Sequence, residues 1–438
     1  MIGPGPRWMT CRLRVGSPPD AHTDGMPFRN GSVSYSRFGV TGEFPDAAGE
    51  GTLALLGKHV VRNRTVAEEG TASGWCTGRH VFDTDFSWES CGFSGAILCA
   101  MRVDVAKVPS EIKRAYVAMA EDERRSREEG AAVAGVLSRT AKRDARAEAD
   151  RRCKEEIAEG KYRRVTMTPV LFDLVRKSVL APVTSDSALK ELRGLVEGTY
   201  GCKLSRRTSG GIAADLMGER GMTSDLDDAL PDAFTAAPAE AQARADEGGA
   251  PRAKGRPEVP WALAGGEPRD FLGNVFLLWL WWHAEANEGV VESKDVTVAV
   301  VIDKVVDLEC PWGVGGRVSL RGEMPTRAPE ASKALQSGKW PRRLGILLAA
   351  HGQEFECVLQ GDRFAVSGLK LQGPSEEART PRLEIEERLD QLATFDAVLT
   401  GLYDHFLRER FGKGWNTRRQ QISEWIAARQ PAPVLTPA

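Results

Sequence analysis

Apolar and polar positions alternate from Ser34 to Phe44, which predicts a strand, and the spacing turns helical from about Gly51 to Arg62. A turn at Gly74-Trp75 and two further strands, Gly78 to Phe86 and Phe93 to Asp104, are expected next. Beyond Val108-Pro109, Ser110 is suited to an N-cap. Ile112, Tyr116, Met119 and Ala120 then place an amphipathic helix from Glu111 to about Glu129, packed on the strand before it. A strand from Arg163 to Leu180, a helix from Ser185 to Tyr200 and a strand near Cys202 to Arg207 complete this half. The order β-α-β-β-α predicts an α+β fold, with antiparallel or mixed sheets and helices packed on one face.

From Met222 to Pro260 the chain turns to Ala, Pro, Gly and Asp with no apolar face, which reads as a flexible acidic linker. Two folded halves follow from it, 26–221 and 261–430. The second half opens with an apolar helix, Phe271 to Ala284, that carries Trp279, Trp281 and Trp282. Strands are expected at Val296 to Leu308 and Arg317 to Arg321, then a short helix at Pro329 to Ser337. A meander follows, Arg343 to Ala350, Glu354 to Leu359 and Phe364 to Leu371, with turns at Gly352 and Gly361-Asp362. The last element is a long helix, Arg382 to Arg410, with Leu389, Leu392, Phe395, Leu399, Leu402, Tyr403 and Phe406 on one stripe. Residues 1–25, rich in Pro and Gly, read as a disordered leader with Met26 as an alternative start, and 431–438 as a disordered tail.

The segment 110–160 departs most from ordinary patterning. From Ser138 to Glu159 the apolar positions are mainly alanines, with Ile157 the only large one, so a helix here has good propensity but little to bury and is expected to project into solvent. Arg139, Lys142, Arg143 and Arg146 stand at i, i+3, i+4 and i+7, four cations on one face. Arg151, Arg152, Lys154, Lys161, Arg163 and Arg164 extend the positive bias, although Asp150, Glu155, Glu156 and Glu159 dilute it. Such a stripe suits a polyphosphate. Taken alone, a charge run is more often a solvated helix laced with ion pairs.

Bulk composition conceals this local feature. The 438 residues carry a net charge of −2, a sum over unlike regions in which the acidic stretch Thr223 to Gly249 offsets basic ones. The eight cysteines include no Cys-x-x-Cys pair, so neither a zinc site nor a disulfide framework has its spacing, and reduced cytoplasmic thiols are expected. The most apolar run, Phe271 to Trp282, is too short to span a bilayer. A soluble, cytoplasmic protein without a membrane partner is the expectation.

Signals for catalysis are weak. Gly313-Val314-Gly315-Gly316 lacks the lysine and the strand-to-helix setting of a phosphate loop. His80, Asp83 and Asp85 are the only residues close enough in sequence to suggest a metal-dependent nuclease, and polar alternation on a strand explains them more simply. Glu384, Glu386 and Glu387 read as a solvated face, and the tryptophans as core or interface rather than base-stacking platforms. No catalytic residue, metal or cofactor is expected.

Several of these features occur in an order that resembles the recombination-associated protein RdgC family. They are the strand Ser34 to Phe44 with its helix, the Gly74-Trp75 turn, the strand ending at Arg102-Val103-Asp104, Val108-Pro109, the basic helix around Arg139, Lys142, Arg143, Lys154 and Glu155, and the unit Leu171 to Tyr200. The run Phe276 to Trp282 and the helix from Glu387-Arg388 to Arg410, ending near Trp415, are similar to longer members of that family. The resemblance implies a non-enzymatic, nucleoid-associated protein that binds double-stranded DNA without sequence preference. It further implies a ring-shaped homodimer that encloses the duplex and competes for it with a RecA-type recombinase. Sequence-independent binding requires spaced cations and no base-reading motif, and none is evident. The acidic insert and the acids within the basic helix depart from the family pattern. A metal-dependent nuclease, or a protein-protein adaptor without DNA binding, are the alternatives.

Overall fold

The computed structural model describes residues 27–61, 70–128, 137–246, 255–292 and 297–429. The fold is α+β, and the thirteen strands among the described residues belong to one sheet in which every pairing is antiparallel. The first half supplies β1 (Val33–Thr41), β2 (Gly70–Cys76), β3 (Gly92–Phe93), β4 (Ala96–Ala106), β5 (Arg163–Asp173), β6 (Ser178–Ala181) and β7 (Lys203–Arg206). The second supplies β8 (Val290–Glu292), β9 (Thr297–Glu309), β10 (Val318–Gly322), β11 (Trp340–Ala350), β12 (Gln353–Gln360) and β13 (Ala365–Lys370). The main path runs β10-β9-β11-β12-β13-β1-β6-β5-β4-β2.

β1 joins the halves. Its start pairs with β13 (Val33 opposite Leu369, Tyr35 opposite Val366), its middle with β6 (Arg37 opposite Leu180, Phe38 opposite Val179) and its end with β7 (Thr41 opposite Lys203). Successive side chains of a strand point to opposite faces. Phe38 therefore enters a core with Trp75, Ile97, Cys99, Met101 and Phe172 beneath the helices Glu50–Lys58 and Asp186–Tyr200. Tyr35 enters the other core, which runs beneath the tryptophan helix Phe271–Ala286 and the long helix Pro381–Arg410.

The first half was expected to carry helices on one face only. Its second face is covered too, because Leu98, Leu171 and Leu180 pack in the same core as Ile385 and Leu392 of the long helix. The physical cause is legible in β4, where Ile97 to Met101 is apolar without interruption and both faces need cover.

Other expectations change in detail. The strand predicted at Gly78 to Phe86 is a loop, and β2 runs through the predicted Gly74-Trp75 turn instead. Trp75 is fully buried there and its backbone N–H donates to the His59 carbonyl at 2.8 Å. Gly74 lies so close to that segment that a Cβ would sit 2.4 Å from the Val61 nitrogen. The single strand predicted from Arg163 to Leu180 is a hairpin, β5 and β6. The linker reading of 222–260 also fails over its first part. Helices Thr223–Asp227 and Ala239–Asp246 form, Leu226 and Phe234 are buried, and Phe234 packs edge-on against Trp340 with ring centroids 5.8 Å apart. Asp232 accepts from Trp415 Nε1 at 2.9 Å and pairs with Arg410 at 2.9 Å. A few spaced anchors outweigh the average composition. Residues 247–254, the leader 1–25 and the tail 431–438 lie outside the described residues. No helix among the described residues is long and apolar enough to cross a membrane.

Arg37 is buried in the middle of β1, and apart from Tyr35 Oη its side-chain partners come from the other half. Nε donates to Asp396 Oδ1 at 2.8 Å and Nη1 to the Phe364 carbonyl at 2.7 Å, while Nη2 also reaches Asp396. Replacing Asp396 with alanine strands this cation, and the expected cost is about 3–5 kcal/mol. The pair replacement Arg37→Met with Asp396→Leu is expected to cost less, since no charge is left unpaired. Urea unfolding of the three proteins checks this, and a shallow loss in Asp396→Ala would show that the pair does not clamp the halves.

Candidate nucleic-acid interface

The basic segment forms an arm of two antiparallel helices, Ser110–Glu128 and Arg139–Ala158, inserted between β4 and β5. Ser138 caps the second helix, its Oγ accepting from the Ala141 N–H at 3.1 Å. Ala141, Ala145, Ala149, Cys153 and Ile157 recur every fourth residue and all are buried. The helix was expected to bury little. Its small side chains instead let the first helix approach closely, with Ala120 fully buried, and that helix packs along the second helix and meets β4 at Ala106. At the base, Cys153 and Ile157 join Ala106 and Val108 with Ile112, Tyr116 and Tyr162, and Tyr162 donates to Glu156 Oε2 at 2.7 Å.

With the alanine stripe used for packing, the charged face is left to solvent. Arg139, Lys142, Arg143 and Arg146 are all exposed and line one open depression of about 520 Å³ with Thr140. Arg143 lies 3.7 Å from the neighbouring Asp144, and the other three have no ion pair among the described residues.

The remaining predicted cations divide. Arg151 pairs with Glu148 at 2.7 Å and Glu155 at 2.8 Å, and Arg152 with Glu148 at 3.2 Å and Glu123 at 3.6 Å. Lys161 pairs with Glu156 at 2.9 Å and Glu159 at 3.3 Å. Arg163 binds Asp104, which is fully buried and also takes two bonds from Arg102, at 2.8 and 2.7 Å. Burial alone would raise the Asp104 pKa, but the bonds from Arg102 and Arg163 hold it below the usual carboxylate value. Arg163 thus completes, from the surface, an ionic cluster around the buried Asp104 carboxylate at the arm's root. Lys154 and Arg164 are exposed and carry no ion pair among the described residues. Sequence spacing identified the four-residue face; it gave no signal for Arg102 and Asp104, whose meeting with Arg163 depends on strand register, Asp104 standing opposite Val165.

The other candidate chemistry is internal. Asp83 accepts from Thr77 Oγ1 at 2.6 Å, Arg79 Nε at 2.6 Å and the Asp85 N–H at 3.2 Å, while His80 Nδ1 accepts from the Phe82 N–H at 3.3 Å. These bonds shape a loop. Among the described residues no three His, Cys, Asp or Glu side chains gather as a metal site would require. Trp279, Trp281 and Trp282 are buried, and Trp279 Nε1 donates to Glu409 at 2.6 Å. Glu386 pairs with Arg382 at 3.0 Å and Glu387 accepts from Ser375.

Compared with protein-family models and with curated proteins, the chain matches none.

The loop bonds predict a pH dependence. Burial raises the Asp83 pKa, but the bonds from Arg79, Thr77 and the Asp85 N–H outweigh it and pull the group down to about 2. A depressed carboxylate contributes stability that is present above its unfolded pKa, about 3.9, and lost as pH falls through its folded value. Asp83→Asn is therefore expected to lower stability at neutral pH and to flatten the loss between about pH 4 and pH 2. Acid titration of unfolding measures it, and parallel curves for the two proteins would contradict the assignment.

Proposed function

We propose that the protein binds double-stranded DNA without reading its sequence, and that the free cation face of the helical arm is the contact. The observation that carries this reading is the exposure of Arg139, Lys142, Arg143 and Arg146 on one face with at most one weak ion pair among them. Cations already held by carboxylates gain little from a phosphate, whereas uncommitted ones displace condensed counterions and gain their entropy. Contacts to phosphate position a protein on the duplex and carry no base information. Arg151, Arg152 and Lys161 take a lesser part, since carboxylates already pair them, Arg163 is held at the arm's root on the Asp104 carboxylate that it shares with Arg102, and Lys154 and Arg164 remain as flanking contacts.

The order of elements that resembles the RdgC family supports the wider reading. In it the protein acts without catalysis as a ring-like homodimer on the nucleoid, and modulates recombination by competing with a RecA-type recombinase for duplex. An arm standing clear of the sheet, with its charged face unencumbered, suits a clamp that touches only backbone.

The test replaces Arg139, Lys142, Arg143 and Arg146 together with glutamine. Affinity for duplexes of unrelated sequence is expected to fall by a similar factor for each, and the slope of log affinity against log salt to become shallower by about 0.9 for each phosphate no longer neutralised. Thermal stability is expected to stay within about 1 kcal/mol, since the side chains are solvated. Replacing Arg151 and Arg152 serves as the paired-cation control, with a smaller effect on the slope. A solution mass of twice the chain accompanies the binding measurement. Unaltered affinity and slope in the fourfold variant would remove the arm from the DNA site.

A further inference from the structure

A second cationic surface stands toward the other end of the sheet path from the arm, on β10, β9 and β11. Val306 and Leu308 of β9, with Val318 and Leu320 of β10, turn to the larger core, so Asp307 on β9 and Arg317, Ser319 and Arg321 along β10 share the opposite face. Strand register lines them up. Ser319 stands opposite Asp307, and Asp307 stands opposite Arg343 of β11. Three arginines therefore converge on one carboxylate, Arg317 Nη2 at 2.9 Å, Arg321 Nη1 at 2.8 Å and Nη2 at 3.2 Å, and Arg343 Nη1 at 3.7 Å.

The carboxylate lies beneath its partners. The Asp307 side chain is 0% exposed, whereas those of Arg317, Arg321 and Arg343 are 50%, 51% and 34% exposed, so solvent meets the guanidiniums while the anion that holds them is out of reach. Burial alone would raise the Asp307 pKa, but the bonds from Arg321 and Ser319 outweigh it and hold the group below the usual carboxylate value. Three positive charges against one negative leave a formal surplus of two. Nearby acids do not cancel it. Glu309, next on this face of β9, is engaged by Arg342 at 2.9 Å, Asp303 accepts the Met324 N–H at 2.8 Å, and Glu323, exposed beyond the end of β10, makes no ion pair among the described residues. The paired cations of the arm differ in this respect, since Arg151 and Arg152 between them meet Glu123, Glu148 and Glu155 and no surplus remains.

We propose that this face is a second contact for the duplex backbone, in which Arg317 and Arg343 neutralise phosphates while Arg321 stays on Asp307. The proposal rests on the reading that the protein binds duplex DNA. Arg321 reaches both carboxylate oxygens and by itself satisfies Asp307, whereas Arg317 gives it one N–H and Arg343, at 3.7 Å, makes no hydrogen bond to it. The remaining N–H groups of these two forks suit phosphate oxygens, and a fork already held near its place loses less side-chain freedom on contact. A small anion would need a concave site to bury its surface. Arginines on an exposed strand face instead suit a polyanion, whose condensed counterions are released as its charge is neutralised. Such contact reads no base, in keeping with the arm.

The test measures binding of the full chain to duplexes of unrelated sequence across a salt series. Arg317→Gln with Arg343→Gln removes the surplus charge and leaves Asp307 paired with Arg321, so the fold is expected to persist. Affinity is expected to fall about tenfold, and the slope of log affinity against log salt to become shallower by about 1.8, from about 0.9 for each of two phosphates. Should that variant unfold, Arg343→Gln alone, which breaks no hydrogen bond to Asp307, is expected to make the slope shallower by about 0.9. Arg317→Lys with Arg343→Lys keeps both charges and is expected to keep the slope, which a purely structural role for these arginines would not allow. Unaltered affinity and slope in the folded glutamine variant overturn the contact and leave the face to an acidic protein surface, and an equal loss in the glutamine and lysine variants overturns it too. The fourfold arm variant is measured alongside. A shallower slope in the arm variant but not in this one sinks this contact alone, the reverse sinks the arm alone, and no duplex binding by the unaltered chain sinks both.

Discussion

The position of β1 at the seam of the sheet governs the rest of the structure. This one strand pairs with β13 of the second half along one edge and with β6 of the first half along the other. An arginine buried at its centre would be costly if left alone. Arg37 is instead answered by Asp396 and the Phe364 carbonyl, with Tyr35 Oη beside it at 3.2 Å. That demand draws the long helix onto β1. Once there, the helix covers strands of both halves, and near its start Arg382 donates to the carbonyls of Trp88 at 3.0 Å and Gly92 at 2.7 Å. Two sequence-distant regions become one hydrogen-bonded body through a polar pair that neither region satisfies on its own.

The arm is mounted on this body. β4 and β5, which lead into it and out of it, pair in continuous register from Ala96 opposite Asp173 to Ala106 opposite Arg163. Near the end of that ladder the buried Asp104 carboxylate holds Arg102 and the more exposed Arg163, so the two helices depart from a fixed root. Small residues then zip the helices together. This order of construction leaves Arg139, Lys142, Arg143 and Arg146 largely unpaired among the described residues, while Arg151 and Arg152, nearer the root, are paired with carboxylates.

Periodicity alone determined much of this protein. It located β1, the helix ending at Tyr200, the meander β11-β12-β13 and the long helix, because each has a face whose apolar spacing matches its own geometry, and an unbroken apolar run marked the tryptophan helix. It also located the four-cation face, since i, i+3, i+4 and i+7 is a local property of a helix. What depends on partners distant in sequence was decided by the tertiary structure. Leu226, Asp232 and Phe234 are too sparse to mark a packed segment until Trp340 meets Phe234 and Trp415 and Arg410 meet Asp232. The alanines of the arm look idle until a second helix lies against them. Arg163 is indistinguishable from Arg164 in sequence, yet one meets a buried carboxylate across β4 and the other faces solvent. Local spacing specifies which face a residue shares; only the register of the sheet specifies what that face meets.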